Sequence, residues 1–398
     1  MLGTAGLNLI RSAGSVSAQA EAAGEDLFEA RSYSDWVRGA VRVREAGLDV
    51  AMLFDSTISE PTQALIDVVR EAFSHEVTSR YVSVFADGNR YAVDALARRY
   101  GLSPDQLVTT TGATGALNMA LKALVGAGDH VLVERPGFDF LARLARDAGA
   151  AVGEVERRAP DFRLDLDHLE AQLTPRTRAV IITNLHNPSG ARLSPDEIAA
   201  AAGRLAASGV VLVVDEVYAD FAADIGAPPA AKLAPNIVTV SSLTKVLGLF
   251  ALRFGWLAAA PELLEQIKAR APDGDLGVSK LSHAVAAHVL ERPDRFEAHW
   301  RGALAANRPL VERCAAELRN AGLVEGEVPE HGCMYFPRIV GVDDTLGLAR
   351  RLFERHGVLV APGEYFGAPG RLRIGFGAQT GAVRTGLERL QAGLQAKR

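Results

Sequence analysis

Val240-Ser241-Ser242-Leu243-Thr244-Lys245-Val246-Leu247-Gly248 carries an apolar, β-branched run over residues 237–241 into a lysine. A short run of this kind reads as a strand buried on both faces, and Lys245 then stands just beyond its carboxyl end. Lysine is scarce here: Lys122, Lys232, Lys245, Lys268, Lys280 and Lys397 are the full set among 43 Lys and Arg residues. Burial among apolar neighbours lowers an amine's pKa, which makes it nucleophilic at neutral pH and able to form a Schiff base. A lysine that merely snorkels to the surface would leave the same local pattern.

Outward from that strand, similar runs at 108–110, 130–133, 179–183 and 210–214 alternate with Ala- and Leu-rich stretches of helical period. Continuous apolar strands separated by helices predict an α/β fold, with a mostly parallel sheet covered on both faces. Ser194-Pro195-Asp196-Glu197 spells a capping box with proline at the first helical position. Helices are also expected over 91–100, ended by Gly101, and over 116–125, ended by Gly126 and Gly128. Beyond about residue 285, long Ala/Arg/Glu-rich helices give way to short strands punctuated by Gly332, Pro337, Pro362, Gly363, Pro369 and Gly370. That change predicts a second, smaller α+β domain.

The 398 residues are 48% hydrophobic and 23% charged, enough for a large core over two to three domains or one large fold with an appendage. A net charge of −5 gives no electrostatic reason for nucleic acid or an anionic membrane as partner, so a small molecule fits better. The two cysteines, Cys314 and Cys333, make no disulfide framework, and a cytoplasmic setting is expected. Residues 1–20 end in Ala18-Gln19-Ala20 but have no basic residue ahead of their apolar stretch, and read as a flexible arm rather than a signal peptide. No uncharged apolar run reaches the roughly 18 residues a membrane span needs.

Three further stretches bear chemistry. Thr109-Thr110-Thr111-Gly112-Ala113-Thr114-Gly115-Ala116-Leu117 reads as a strand and a small-residue turn opening a helix, where free N–H groups and the Thr114 hydroxyl could cradle a phosphate. The same turn could be no more than a tight connection, since it matches neither common phosphate-loop pattern. Val213-Val214-Asp215-Glu216-Val217-Tyr218 puts an acid at the carboxyl end of an apolar run, where open α/β sheets bind ligands. Such a carboxylate costs free energy unless a cation faces it. Asn184-Leu185-His186-Asn187-Pro188-Ser189-Gly190 is a turn by composition and an amide-bearing loop by position.

In this order and spacing, from about residue 60 to 377, these stretches resemble the fold-type I pyridoxal 5′-phosphate (PLP) enzymes, specifically the class I/II aminotransferases. Asn187, Asp215, Tyr218, Lys245, Arg253 and Arg373 fall on matching positions. The resemblance implies a large PLP-binding domain over 51–285 and a small C-terminal domain over 286–398, with 1–50 as an N-terminal arm and part of the small domain. It implies a homodimer with sites at the subunit boundary, and amino acid and 2-oxo acid substrates. Lys245 looks like the lysine that forms the Schiff base with PLP, Asp215 like the acid facing the pyridine nitrogen, and Asn187 and Tyr218 like the pair at the ring's O3′. Phe138, in Arg135-Pro136-Gly137-Phe138-Asp139, matches the stacking aromatic. Arg253, with Ser242 and the Ala113-Thr114 turn, resembles the phosphate cup, and Arg373, with Asn187, the clamp on the substrate α-carboxylate.

An acid at the ring nitrogen keeps that nitrogen protonated, and donors at O3′ stabilise the phenolate. A planar guanidinium holds a carboxylate bidentately and so fixes which bond is broken. The implied activity is transfer of an amino group by a ping-pong mechanism. A PLP-dependent lyase eliminating a β-substituent, or a decarboxylase, would use the same residues. A PLP-binding regulatory module is a further alternative, disfavoured because no basic DNA-binding segment precedes the domain. The sequence departs from the family at Ser83, flanked by Tyr81 and Phe85, where a tyrosine reaching the neighbouring subunit's phosphate is common. It departs again at Ser59, where glycine is usual, and Met334-Tyr335 is expected on a small-domain strand facing the pocket. His283 and His288 lie five apart, off a shared helical face, so no metal site is expected. His186 and Cys333 read as a loop histidine satisfied by backbone and a packed thiol.

Overall fold

The computed structural model describes residues 27–83, 88–222, 228–271 and 278–396. The arm over residues 1–20, Phe85 and Lys397 lie outside the described residues. After a short strand β1 (Ala51–Met52), eight strands form one sheet: β2 (Leu107–Thr111), β3 (His130–Arg135), β4 (Ala151–Arg158), β5 (Arg163–Leu164), β6 (Thr177–Thr183), β7 (Val211–Asp215), β8 (Ile237–Ser242) and β9 (Phe254–Ala259). Their order is β2-β9-β8-β7-β6-β3-β4-β5. β4, β3, β6, β7 and β8 run parallel, while β9 is antiparallel to β8 and to β2. Two reversals put β2 back in register of direction with β8.

The runs that read as doubly buried strands are so because their residues alternate between two apolar layers. Val131, Val133, Ala179, Ile181 and Val213 pack with the helices Gly112–Leu124 and Asp139–Asp147 on one face. Leu132, Val180, Ile182, Leu212 and Val214 pack with Pro195–Ala206 on the other. The capping box is formed: Ser194 Oγ accepts from the Glu197 N–H at 3.2 Å, and Glu197 accepts from the Ser194 N–H at 2.9 Å. Gly101 closes Arg90–Tyr100 at φ 62°, a left-handed cap that glycine takes without penalty.

One helix begins earlier than the sequence predicts. Gly112–Leu124 starts four residues before residue 116, so the small-residue stretch is the first helical turn and not a loop ahead of it. Tertiary contact overrides the low helix propensity of Gly112 and Gly115. β9 lies directly against that turn: a Cβ on Gly255 would collide with the Gly112 carbonyl carbon and come within 2.6 Å of the Ala113 nitrogen.

The C-terminal part holds Lys280–Glu291, the 27-residue helix Asp294–Asn320, Thr345–His356 and Thr380–Gln395, with short strands between them. β1 pairs in parallel with Val358–Leu359, which ties the chain ahead of the large sheet to this layer. Strand Leu372–Gly375 pairs with Met334–Tyr335 on one side and Ala361–Pro362 on the other. Asn307 fastens the exit from that strand, its Nδ2 donating to the Phe376 and Ala378 carbonyls at 2.8 Å each.

Gly255→Ala is expected to destabilise the protein by roughly 1–3 kcal/mol, because backbone and not a flexible side chain opposes the added methyl. Thermal unfolding of the cofactor-free protein measures it, and an unchanged midpoint would mean that β9 can shift away from the helix.

Candidate active site

The carboxyl ends of β2, β3, β6, β7 and β8 share one edge of the sheet, and the first residue of β9 lies there too. The segments leaving this edge carry Thr111–Thr114, which opens a helix, and Pro136–Phe138, 184–190, Asp215–Tyr218 and Ser242–Lys245. Across three adjacent strands, Ser242 sits beside Gly255 and Gly255 beside Thr110, so Ser242, Arg253 and the start of the Gly112 helix are neighbours.

That helix has no side-chain cap, and Thr114 in its first turn is exposed. Arg253 is held in the left-handed region at φ 47°, and its Nη2 lies 3.1 Å from where a Cβ on Gly112 would be. Among the described residues it has no carboxylate partner. Ser242 is buried, with its Oγ accepting from the Thr244 N–H at 3.3 Å.

Asp215 is buried at the end of β7 and accepts from the Val217 N–H at 3.0 Å. No cation lies within ion-pair distance of it among the described residues. Burial pushes its carboxyl up to about 7, against the pull of the Val217 N–H, and the Glu134 charge pushes the same way.

The residues of segment 54–57, which carry no motif, meet three of the expected site groups. Lys245 Nζ donates to Thr57 Oγ1 at 2.9 Å, Tyr218 Oη and Ser56 Oγ are 2.7 Å apart, and Arg373 Nη2 donates to the Phe54 carbonyl at 2.9 Å. Arg373 is 1% exposed; it also donates to Asn187 Oδ1 at 2.7 Å and to the Tyr33 hydroxyl, while its Nε has no partner. No carboxylate neutralises it among the described residues. The Lys245 amine departs from the sequence expectation: burial lowers its pKa, but Tyr218, Asp55 and Tyr33 raise it by more, and the net direction is upward. In the protein alone the amine is therefore held protonated.

Behind the site lies a polar cluster that the sequence did not announce. Glu134 and Arg157 form an ion pair of 2.8 Å with neither side chain exposed. Glu134 also accepts from the Thr183 N–H at 2.8 Å and from its hydroxyl, and Thr183 Oγ1 accepts from the Asn187 N–H at 2.9 Å. Buried His186 bridges Pro136 O at 2.8 Å and Ser189 Oγ at 2.6 Å, and burial with the Arg157 charge holds its pKa well below the usual value. It is a neutral strut between the Phe138 turn and the Asn187 loop. Phe138, half-buried, meets the Tyr33 ring edge-on at 5.9 Å.

The remaining candidates play other parts. Cys333 is wholly buried, its thiol pushed up to about 12 by burial, and donates to the Ser56 carbonyl at 3.2 Å. Ser59 is bound through its backbone, N–H to Gly377 O at 2.9 Å and carbonyl to His299 Nε2 at 2.8 Å. Met334 is buried, and the Tyr335 hydroxyl donates to the Gly326 carbonyl at 2.9 Å, not to any site group. His283 packs on Phe254, and His288 Nε2 hydrogen-bonds Thr78 Oγ1 at 3.0 Å. Among the described residues no cluster of three His, Cys, Asp or Glu is placed to hold a metal. A cavity of about 950 Å³ opens beside Phe162, Ser189–Arg192 and Arg371, but none of Lys245, Asp215, Tyr218, Arg253 or Arg373 lines it.

A profile of the family described as "Aminotransferase class I and II" matches residues 53–390. The chain belongs to that family. A capreomycidine synthase of Streptomyces vinaceus is 34% identical to it over 298 residues, 74% of this chain and 76% of that protein. A histidinol-phosphate aminotransferase of Sphingopyxis alaskensis is 32% identical over 68% of this chain and 76% of its own length. The solved PLP-dependent cyclase OrfR superposes with a TM-score of 0.77 at 29% identity, covering 90% of this chain and 97% of that one. This aminotransferase has the fold-type I architecture and takes PLP as cofactor.

The site's unbalanced charges fit PLP. An uncapped helix N-terminus beside an unpaired arginine suits a phosphate dianion. A buried carboxylate without a cation suits a protonated ring nitrogen. In the cofactor-free protein Asp215 has a pKa raised above its unfolded value near 4, so its contribution to stability is present below pH 4 and lost as pH rises through about 7. Asp215→Asn is expected to make the cofactor-free protein more stable at pH 8 by about 2–4 kcal/mol, with little change at pH 4, and to weaken PLP binding. Urea unfolding at the two pH values checks the sign; a variant no more stable at pH 8 would contradict it.

Proposed function

We propose that Lys245, Asp215 and Tyr218 are the catalytic groups, that Ala113, Thr114, Phe138, Asn187, Ser242 and Arg253 join them in holding PLP, and that Arg373 and Asn187 take the substrate α-carboxylate. The observation that carries this reading is the pairing of a buried guanidinium, which has no carboxylate partner among the described residues, with a lysine amine, both bound to the same four residues, 54–57. PLP, when bound, supplies the sink for the electron pair left as the Cα proton departs. Lys245 Nζ would take that proton as base and give one back as acid. Tyr218 Oη, steadied by Ser56, offers a hydrogen bond to the cofactor's O3′. Buried Asp215 would hold a proton on the ring nitrogen of the bound cofactor. Arg253 and the helix terminus hold the phosphate, and Arg373 orients the amino acid so that its Cα–H faces Lys245.

The overall reaction moves an amino group from an L-amino acid to a 2-oxo acid in two half-reactions, with ping-pong kinetics. Lys245→Ala is expected to lose the visible absorbance of Lys245-bound cofactor and to fall in turnover by roughly 10²-fold or more. Absorbance and single-turnover measurements test this, and turnover at the wild-type rate would remove Lys245 from the mechanism. The likeness to the PLP-dependent cyclase OrfR favours a second reading, in which loss of the Cα proton leads to elimination or ring closure. A panel of amino donors mixed with yellow holoenzyme separates the two, since only transamination accumulates the pyridoxamine form.

The working unit is a homodimer. Supporting this, Ile66, Val69 and Phe73 share one helical face and are each 38% exposed, and Phe250, whose ring lies 5.1 Å from the Arg253 guanidinium, is 62% exposed. Apolar side chains so placed suit a second copy covering the phosphate end of the site. Val69→Asp is expected to shift the sedimentation coefficient toward that of the monomer; an unchanged coefficient would place the interface elsewhere. The setting is the cytoplasm, a reading supported by two free, buried cysteines. No helix among the described residues is long and apolar enough to cross a membrane.

A further inference from the structure

We propose that Asp55 makes this enzyme selective for L-amino acids whose side chain ends in a cation, a guanidinium or an ammonium group. The inference rests on the transamination reading above and names the class of donor for it.

Asp55 lies in the middle of the segment that binds the site together. The residue before it receives the Arg373 guanidinium, the residue after it meets Tyr218, and the next receives the Lys245 amine. Its backbone is fixed, because a Cβ on Gly375 would collide with the Asp55 carbonyl oxygen. Its neighbours Phe54 and Ser56 are buried, whereas Asp55 is exposed and is in no hydrogen bond or ion pair among the described residues. The contacts of Phe54, Ser56 and Thr57 set Asp55 among the residues that touch Arg373, Tyr218 and Lys245, and its charge contributes to raising the pKa values of Lys245, Tyr33 and Cys333.

The charges of the site then divide into two groups. Arg253 answers the phosphate, Asp215 the ring nitrogen and Arg373 the α-carboxylate, which are features of the cofactor or of every amino acid. Asp55 answers none of these. A neutral side chain would leave its carboxylate without a partner, and an acidic one would be repelled. A guanidinium or ammonium at the end of the donor's side chain would gain a charge-assisted hydrogen bond.

The test uses holoenzyme and compares kcat/KM for L-arginine, its neutral near-isostere L-citrulline, and L-glutamate, with one common 2-oxo acid acceptor. Arginine should exceed citrulline by about 10- to 100-fold, and glutamate should be the poorest. Asp55→Asn should bring arginine and citrulline to within about threefold, while Asp55→Glu keeps most of the difference. A second readout needs no turnover: equilibrium binding of arginine and citrulline to borohydride-reduced holoenzyme should show the same preference and the same loss. Equal kcat/KM for arginine and citrulline in the wild type, an equal fall for both in Asp55→Asn, or dissociation of the oligomer by that variant would each overturn the proposal. If no donor converts the cofactor, transamination fails, and a binding preference for arginine that Asp55→Asn removes would still sustain the role of Asp55.

Discussion

The site's frame depends on one buried carboxylate. A charged Glu134 inside the sheet is tolerable only with full compensation, and it has three partners: the Arg157 guanidinium, the Thr183 amide and the Thr183 hydroxyl. These contacts cross from β3 to β4 and β6. Through Thr183 they fix the backbone of Asn187, and Asn187 in turn orients Arg373 from the other end of the chain. His186 adds a neutral link to the Phe138 turn. Breaking such a pair leaves a buried charge uncompensated, so the arrangement behaves as a unit.

In front of this frame the polarity is deliberately incomplete. Among the described residues Asp215 lacks a cation, while Arg373 and Arg253 lack carboxylates, and each is a cost to the protein alone. PLP and an amino acid carry the complementary charges, so binding offsets the cost and stabilises the fold by mass action. This is the expected conflict between stability and function at a preorganised site. The Lys245 amine shows the same logic: its anionic and phenolic neighbours keep a proton on it until a ligand changes the balance.

Much of this was legible before the fold. Five strands announced themselves by continuous apolar runs, and the helix Pro195–Ala206 by its capping box, since both patterns are local. The family was legible because the stretches around Asn187, Asp215, Lys245 and Arg253 are short and follow one another in order at a sheet edge, and the profile match over residues 53–390 bears it out. The helix start at Gly112 was misplaced, because packing against Gly255 holds glycines in a turn that propensity alone would leave open. The direction of the Lys245 pKa was also misjudged. Burial can be read from a strand, but Tyr218, Tyr33 and Asp55 reach the amine from three distant parts of the chain.

What the sequence determined by itself was most of the elements and the family, because hydrophobic period and motif spacing are properties of contiguous chain. Tertiary structure decided which side chains meet. The antiparallel insertion of β9 brings Arg253 to the Gly112 helix, and segment 54–57 joins Lys245 to Arg373 although it has no motif of its own. Electrostatic interactions act through space and not along the chain, so the charge left over at Asp55 became visible only once its neighbours were in place.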